Sequence, residues 1–280
     1  MTSLHHITIL GGGLLGGSLA LACEAPYQAT LWSRRQESTH EALALGIDAT
    51  SDLAQAVRHA DLLVLCVPVG SMAGLLQQAM EAGLPPHCIV TDVGSVKRQP
   101  HETLRPLLES MRLRFIGSHP MAGGEKGGIT QARADLFHSA ACLLTNDEAA
   151  PQSDCDAVEQ FWKAMGCRTN WCTSSEHDAI VARVSHFPHL LASVGATVGL
   201  KHAGLGQYCG GGLRDTTRVA SGNPFMWAEI LLENRDELLR VLREAQQEME
   251  TIGQLLESAD FNAVEIWLAD AKKKRDGLAR

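Results

Sequence analysis

A short apolar run, HITIL at residues 6–10, breaks directly into GGGLLGGSLA. Gly11, Gly13 and Gly16 fit the pattern G-x-G-x-x-G, which is weak alone. Here a strand-like run precedes it, a helix-like run follows, and a second strand-like run, QATLWS, comes at the right distance. In that setting Gly11 permits the tight turn, Gly13 lets backbone approach a pyrophosphate, and Gly16 lets helix and strand pack closely. The first helical residues, Leu14 and Leu15, belong to the same N-terminus, whose N–H groups suit phosphate. The chain therefore opens with a dinucleotide-binding turn.

That turn implies strands alternating with crossover helices. The runs HITIL, QATLWS, DLLVLCVP, CIVTDVG and RFIGS alternate with GGSLALACEA, VGSMAGLLQQAMEAG and QPHETLRPLLESM. Such alternation predicts a mostly parallel sheet with helices on both faces. AACLLTN, a helix near 152–165 and RTNWCTS are expected to extend the same sheet. After about residue 173 the texture becomes helical. Ser174 or Ser175 is the expected N-cap of a long helix, and the run after Asn223 has sustained helical periodicity. Between them GLGQYCGGGLRDTTRVASGNP is too glycine-rich for a helix and reads as a functional loop.

The second strand ends LWSRRQ, without the acid that holds the ribose of NAD. Ser33, Arg34 and Arg35 stand in its place, and guanidinium groups suit an adenosine 2′-phosphate. NADP is expected over NAD. Cys66 and Pro68 of CVP, Ser95 and Lys97 of DVGSVK, and His119 of SHPMAGG fall at strand ends, where ligands of open parallel sheets bind. Ser95, Lys97 and His119 are expected to face the nicotinamide end, with neutral His119 able to accept a proton.

Composition narrows the remaining classes. A formal charge of −8 offers no basic surplus for nucleic acid. No apolar run approaches membrane-spanning length, and the N-terminus has no signal-peptide pattern. The eight cysteines contain no Cys-x-x-Cys pair, so a reducing, cytoplasmic setting is expected. His177, His186 and His189 could be read as a metal cluster, but Pro188 interrupts the last pair and no evident ligand completes the set. No metal is expected.

The blocks GGGLLGGSLA, DVGSVK, GSHPMAGGEKGG, EHDAIVARVSHFPH and GGGLRDTTRVASGNPFMW together resemble the prephenate/arogenate dehydrogenases of tyrosine biosynthesis, over nearly the whole chain. The resemblance implies an α/β Rossmann-type dinucleotide-binding domain (1–172) followed by an all-α dimerisation domain (173–280), with no separate mutase or regulatory domain. It implies a homodimer that oxidatively decarboxylates prephenate or arogenate. It makes His119 the catalytic histidine and Ser95 its partner on the substrate hydroxyl. His186 and His189 would line the substrate cleft with His177 nearby, Arg218 would bind a carboxylate, and Trp227 would sit near the same loop. Glu125 could meet the amino group of arogenate. Two other readings are a β-hydroxyacid dehydrogenase, with Lys201 as its lysine, and a catalytically silent NADP-binding regulator.

Overall fold

The structure is a computed structural model that describes residues 4–124, 126–202 and 204–278. Six strands form one parallel sheet: β1 (His6–Leu10), β2 (Gln28–Trp32), β3 (Ala49–Thr50), β4 (Leu62–Leu65), β5 (Ile89–Asp92) and β6 (Arg114–Phe115). Their spatial order is β3-β2-β1-β4-β5-β6, the doubly wound arrangement with its switch point between β1 and β4. The crossovers carry α1 (Leu14–Ala22), α2 (Gln36–Ala44), α3 (Leu53–Val57), α4 (Val69–Glu81) and α5 (Arg98–Met111). Every residue of β4 is fully buried. Leu62 and Val64 enter one core and Leu63 and Leu65 the other, because successive strand residues point to opposite, equally covered faces.

The expected extension of this sheet does not form. RFIGS divides at Ile116, and the chain leaves the first sheet to make β7 (Gly117–Pro120). Strand β7 pairs antiparallel with β8 (Ala141–Thr145), which pairs parallel with β9 (Arg168–Trp171) in a separate three-stranded sheet. Helix α6 (Gln152–Ala164) lies between the last two strands in sequence and buries Phe161 and Trp162. Asp92, the last residue of β5, holds β7 beside the first sheet by accepting from Ser118 N–H at 3.0 Å.

Helix α7 (Ser174–Val181) is capped one residue before the expected serines. Thr173 and Glu176 form a reciprocal capping box, which satisfies two otherwise orphaned donors. A π-helical turn, Ala182–His186, then joins α7 to α8 (Phe187–Gly199). The glycine-rich stretch is more helical than expected: α9 (Gly211–Thr217) forms within it, followed by a 3₁₀ turn, Arg218–Ser221. The long periodic run divides at Asn234 into α10 (Pro224–Glu233) and α11 (Arg235–Ser258). One compact unit ends at Asn234, and a second begins at Arg235 and contains α11 and α12 (Phe261–Asp276). Among the described residues no helix is long and apolar enough to cross a membrane.

Candidate active site

At the sheet's switch point a cleft of about 570 Å³ is lined by Gly11, Gly13, Ser33, Arg34, Arg35 and both Cys66 and Pro68. Gly11 has φ +130°, and a Cβ there would lie 2.3 Å from the Cys66 carbonyl oxygen. A Cβ on Gly16 would lie 2.0 Å from the Gly11 carbonyl oxygen, so Gly16 serves packing and does not form the cleft wall. Gly13 faces open space. It caps α1 with no side-chain hydrogen bond, leaving the N–H groups of Leu14 and Leu15 without intrahelical partners. This cradle fits a pyrophosphate. Arg34 and Arg35 are exposed at the end of β2. Ser71, Gly74 and Gln78 of α4 complete the opposite wall; no motif in the sequence marks them.

Four imidazoles gather at the ends of β5 and β7. His119 on β7 is buried, with Nδ1 2.8 Å from Nε2 of His177. His177 Nδ1 lies 2.7 Å from Asp178 Oδ1. Asp178 also accepts from the backbone N–H groups of Lys97 (2.7 Å) and Arg98 (3.1 Å) and from Arg98 Nε (3.1 Å). His186, at the end of the π turn, has Nδ1 3.2 Å from Asn234 Nδ2. His189 stacks on Trp227, with ring centroids 3.6 Å apart at 15°, and among the described residues neither of its ring nitrogens has a hydrogen-bond partner.

Burial holds these rings neutral. His119 is held well below the ordinary imidazole range, first by burial and then by His177, Lys97 and His186. Burial also lowers His177 against the opposing pull of Asp178, and pushes His186 down to about 4. Glu233 is pushed up to about 7, by burial and then by Glu229 and Asp178. Its neighbour Glu229 accepts from Gly70 N–H at the start of α4 at 2.9 Å. Neither carboxylate was marked by the sequence, since their partners, Gly70 for Glu229 and Asp178 for Glu233, are distant in the chain.

One expectation changes. Lys97 does not face the cleft: its Nζ is fully buried and bonded to Asp92 Oδ2 (2.6 Å), Gly94 O (2.9 Å) and Val96 O (3.1 Å). A buried ammonium needs such a shell. His186, expected to line the substrate cleft, and His177, expected nearby, are both at 0% exposure. His189, half-buried Trp227 and the Arg218 turn do meet. A Cβ on Gly222, just after that turn, would lie 2.4 Å from Trp227 Nε1 and 3.4 Å from His189 Nε2. Ser95 is half-buried in the loop after β5, and Arg218 is exposed. Glu125 lies outside the described residues. Among the described residues no group of three or more His, Cys, Asp or Glu is arranged to hold a metal ion.

A six-stranded parallel sheet of this order, with a phosphate cradle at its switch point, is that of the dinucleotide-binding α/β proteins. Residues 22–171 match the family description "Prephenate dehydrogenase, nucleotide-binding domain", and residues 173–270 match "Prephenate dehydrogenase, dimerization domain". The chain belongs to the prephenate dehydrogenase family, as a nucleotide-binding α/β domain followed by a helical dimerisation domain. It is 33% identical over 288 residues to a cyclohexadienyl dehydrogenase of Zymomonas mobilis, covering 99% of this chain and 97% of that one. A prephenate dehydrogenase of Bacillus subtilis is 30% identical, covering 97% of this chain and 76% of that one. The structure of a prephenate dehydrogenase from A. aeolicus, in complex with hydroxyphenyl propionate and NAD+, superposes with a TM-score of 0.87 at 27% identity, covering 98% of each chain. Synechocystis arogenate dehydrogenase gives 0.81 at 27% identity, covering 97% of this chain and 99% of that one.

Proposed function

We propose that this protein oxidatively decarboxylates prephenate, arogenate or both, with NADP as hydride acceptor. The observation that carries the reading is the chain His119–His177–Asp178, which ends on a neutral imidazole at a strand end. The cradle of Gly11, Gly13, Leu14 and Leu15 holds the pyrophosphate. A bound nicotinamide would supply the hydride acceptor for C4 of the cyclohexadienol, and loss of the ring carboxylate as carbon dioxide would aromatise the ring. His119 accepts the 4-hydroxyl proton at Nε2, and Ser95 orients that hydroxyl. Arg218 holds a substrate carboxylate through charge-assisted hydrogen bonds. His189 and Trp227 form a flat wall for the ring, His177 and His186 support from behind, and Glu125 is assigned to the ammonium of arogenate. The test is a paired assay of both substrates with NAD and NADP, following reduced cofactor and carbon dioxide together. Failure of both substrates with both cofactors overturns the reading.

Preference for NADP rests on Ser33, Arg34 and Arg35. No carboxylate among the described residues pairs with either guanidinium, and both line the cleft. Replacing Arg34 and Arg35 by alanine is expected to raise the Michaelis constant for NADP by roughly 10-fold or more, as loss of charge-assisted contacts does. The constant for NAD should move far less. Equal changes for both cofactors contradict the assignment.

The domain boundary is placed at 172/173, with a homodimer formed through the helical part. Leu191, Val194 and Val198 make an exposed apolar stripe along α8, and Phe225 on α10 is 75% exposed; exposed apolar patches of this kind mark interfaces. Light scattering at micromolar concentration should give about twice the chain mass of 30.1 kDa. A monomer mass contradicts the dimer. All eight cysteines are free thiols, which suits the proposed cytoplasmic setting.

A further inference from the structure

We propose that Arg98, Asp178 and Asn234 form a positioning hub that sets His119 and His186 in opposite tautomers, His119 open at Nε2 and His186 protonated there. The proposal deepens, and rests on, the reading of His119 as proton acceptor. It follows from counting donors and acceptors through a buried network.

The Asn234 amide has its orientation fixed twice over. Arg98 Nη2, which can only donate, lies 3.1 Å from Asn234 Oδ1. The Asp178 carbonyl, which can only accept, lies 2.8 Å from Asn234 Nδ2. Both neighbours demand the same placement of oxygen and nitrogen. The second N–H of Nδ2 then points at His186 Nδ1, 3.2 Å away, so that nitrogen carries the lone pair. A neutral His186 must hold its proton on Nε2. Among the described residues His186 Nε2 has no partner in good hydrogen-bond geometry, and the Ser95 backbone lies close to the ring.

The same hub imposes the reverse on His119. The Asp178 side chain receives donors from Lys97 and Arg98 on both oxygens. These bonds and His177 hold its carboxyl below the usual range against the cost of burial. An ionised carboxylate can only accept, so His177 Nδ1 carries hydrogen toward it at 2.7 Å. Neutral His177 then presents a lone pair at Nε2 and takes a hydrogen bond from His119 Nδ1 at 2.8 Å. His119 is left with an unprotonated Nε2. Were His177 charged, its Nε2–H would reverse the last bond and close the acceptor site. Burial and the nearby Lys97 ammonium, itself tied to Asp92, oppose that charge.

Asn234 also ends α10, with φ −111° and ψ 27°. The residue that breaks the helix thus connects the helical segment to the loop after β5. Asp178 and Asn234 are positioning residues, because each acts through a histidine.

The test is two-bond ¹⁵N–¹H correlation spectroscopy of the full chain, labelled at histidine, at neutral pH. The wild-type spectrum should show His119 protonated at Nδ1 and His186 at Nε2. In Asn234→Asp the new carboxylate cannot donate, so His186 should move its proton to Nδ1 while His119 keeps its tautomer. In Asp178→Asn the amide can turn its N–H toward His177, reversing both rings of the chain. The rate constant kcat should then fall about 100- to 10,000-fold with little change in KM. A wild-type His119 protonated at Nε2, or a His186 tautomer unmoved in Asn234→Asp, overturns the hub. The wild-type spectrum decides even if a variant folds poorly. If the expected tautomers are found but neither cyclohexadienyl substrate is turned over, the enzymatic reading fails and the hub stands. If substrate is turned over but His119 carries its proton on Nε2, the hub fails and the enzymatic reading stands.

Discussion

His119→Asn is expected to lower turnover about 100- to 10,000-fold, the usual contribution of a positioned general base. Asparagine keeps a similar volume and can still accept from a donor, but it has no basic lone pair for the hydroxyl proton. Substrate affinity should change little, because the carboxylate contact proposed for Arg218 lies elsewhere. The pH dependence gives a second signature. The competent form of His119 is neutral, and its pKa lies well below the ordinary 6.5. Wild-type activity should therefore hold through neutral pH and fall only in acid well below that value, as the ring gains its proton. The acid limb belonging to His119 should be missing from the residual rate of the variant. Near-normal turnover in His119→Asn refutes the role.

Lys97→Met is expected to remove about 3–5 kcal/mol of stability, the cost of leaving a buried charge without its partner. Lys97 and Asp92 are both at 0% side-chain exposure, 2.6 Å apart. Without the ammonium, the Asp92 carboxylate keeps, among the described residues, the N–H groups of Gly94 (2.8 Å) and Ser118 (3.0 Å). Typical domain stability is about 5–15 kcal/mol, so the loss is a large share of the whole. Urea unfolding should show a lower midpoint with little change in slope. The double variant Lys97→Met/Asp92→Asn should recover part of the loss, since asparagine removes the charge yet still accepts from a backbone donor. A midpoint change of less than about 1 kcal/mol equivalent in Lys97→Met would refute the account.

The dinucleotide half of the molecule was legible because its signals are local. A glycine at φ +130°, a helix beginning three residues later and an arginine pair closing the next strand are all read within thirty-five residues. His119 was legible as a candidate because it closely follows an apolar run in a chain with a dinucleotide turn, but it stands within β7 of the second sheet and not at the end of that run. The second sheet was not legible. Between Phe115 and Gly117 only Ile116 intervenes, and an apolar residue at that point carries no sign that the chain changes sheets. Lys97 misled because Asp92, five residues earlier, is within reach only once the loop folds back. The partnership of His119 with His177 and Asp178 spans 58 residues in its first bond. Nothing in the pattern of either segment encodes it without tertiary packing. The helix in GGGLRDTT shows packing against α8 outweighing the poor helix propensity of glycine.

The π turn at Ala182–His186 changes how this region can vary. Within it Phe187 N–H reaches back five residues to the Ala182 carbonyl, and Pro188, which has no N–H to give, follows immediately. A π turn takes up about one residue more than an α turn, so removing one residue from it would restore ordinary helical spacing while leaving the helix downstream close to its present phase relative to α7. His177 and Asp178 stand on one side of that joint, His186 and His189 on the other. A single-residue deletion in the turn would therefore keep the two pairs of side chains in nearly the same mutual phase, whereas one in the regular part of α7 or α8 would rotate the residues beyond it by about 100°. Descendants of this chain can change length at the turn more readily than in the helices on either side of it. An insertion or deletion in those flanking helices should mark lineages in which the histidine cluster has been rebuilt or abandoned.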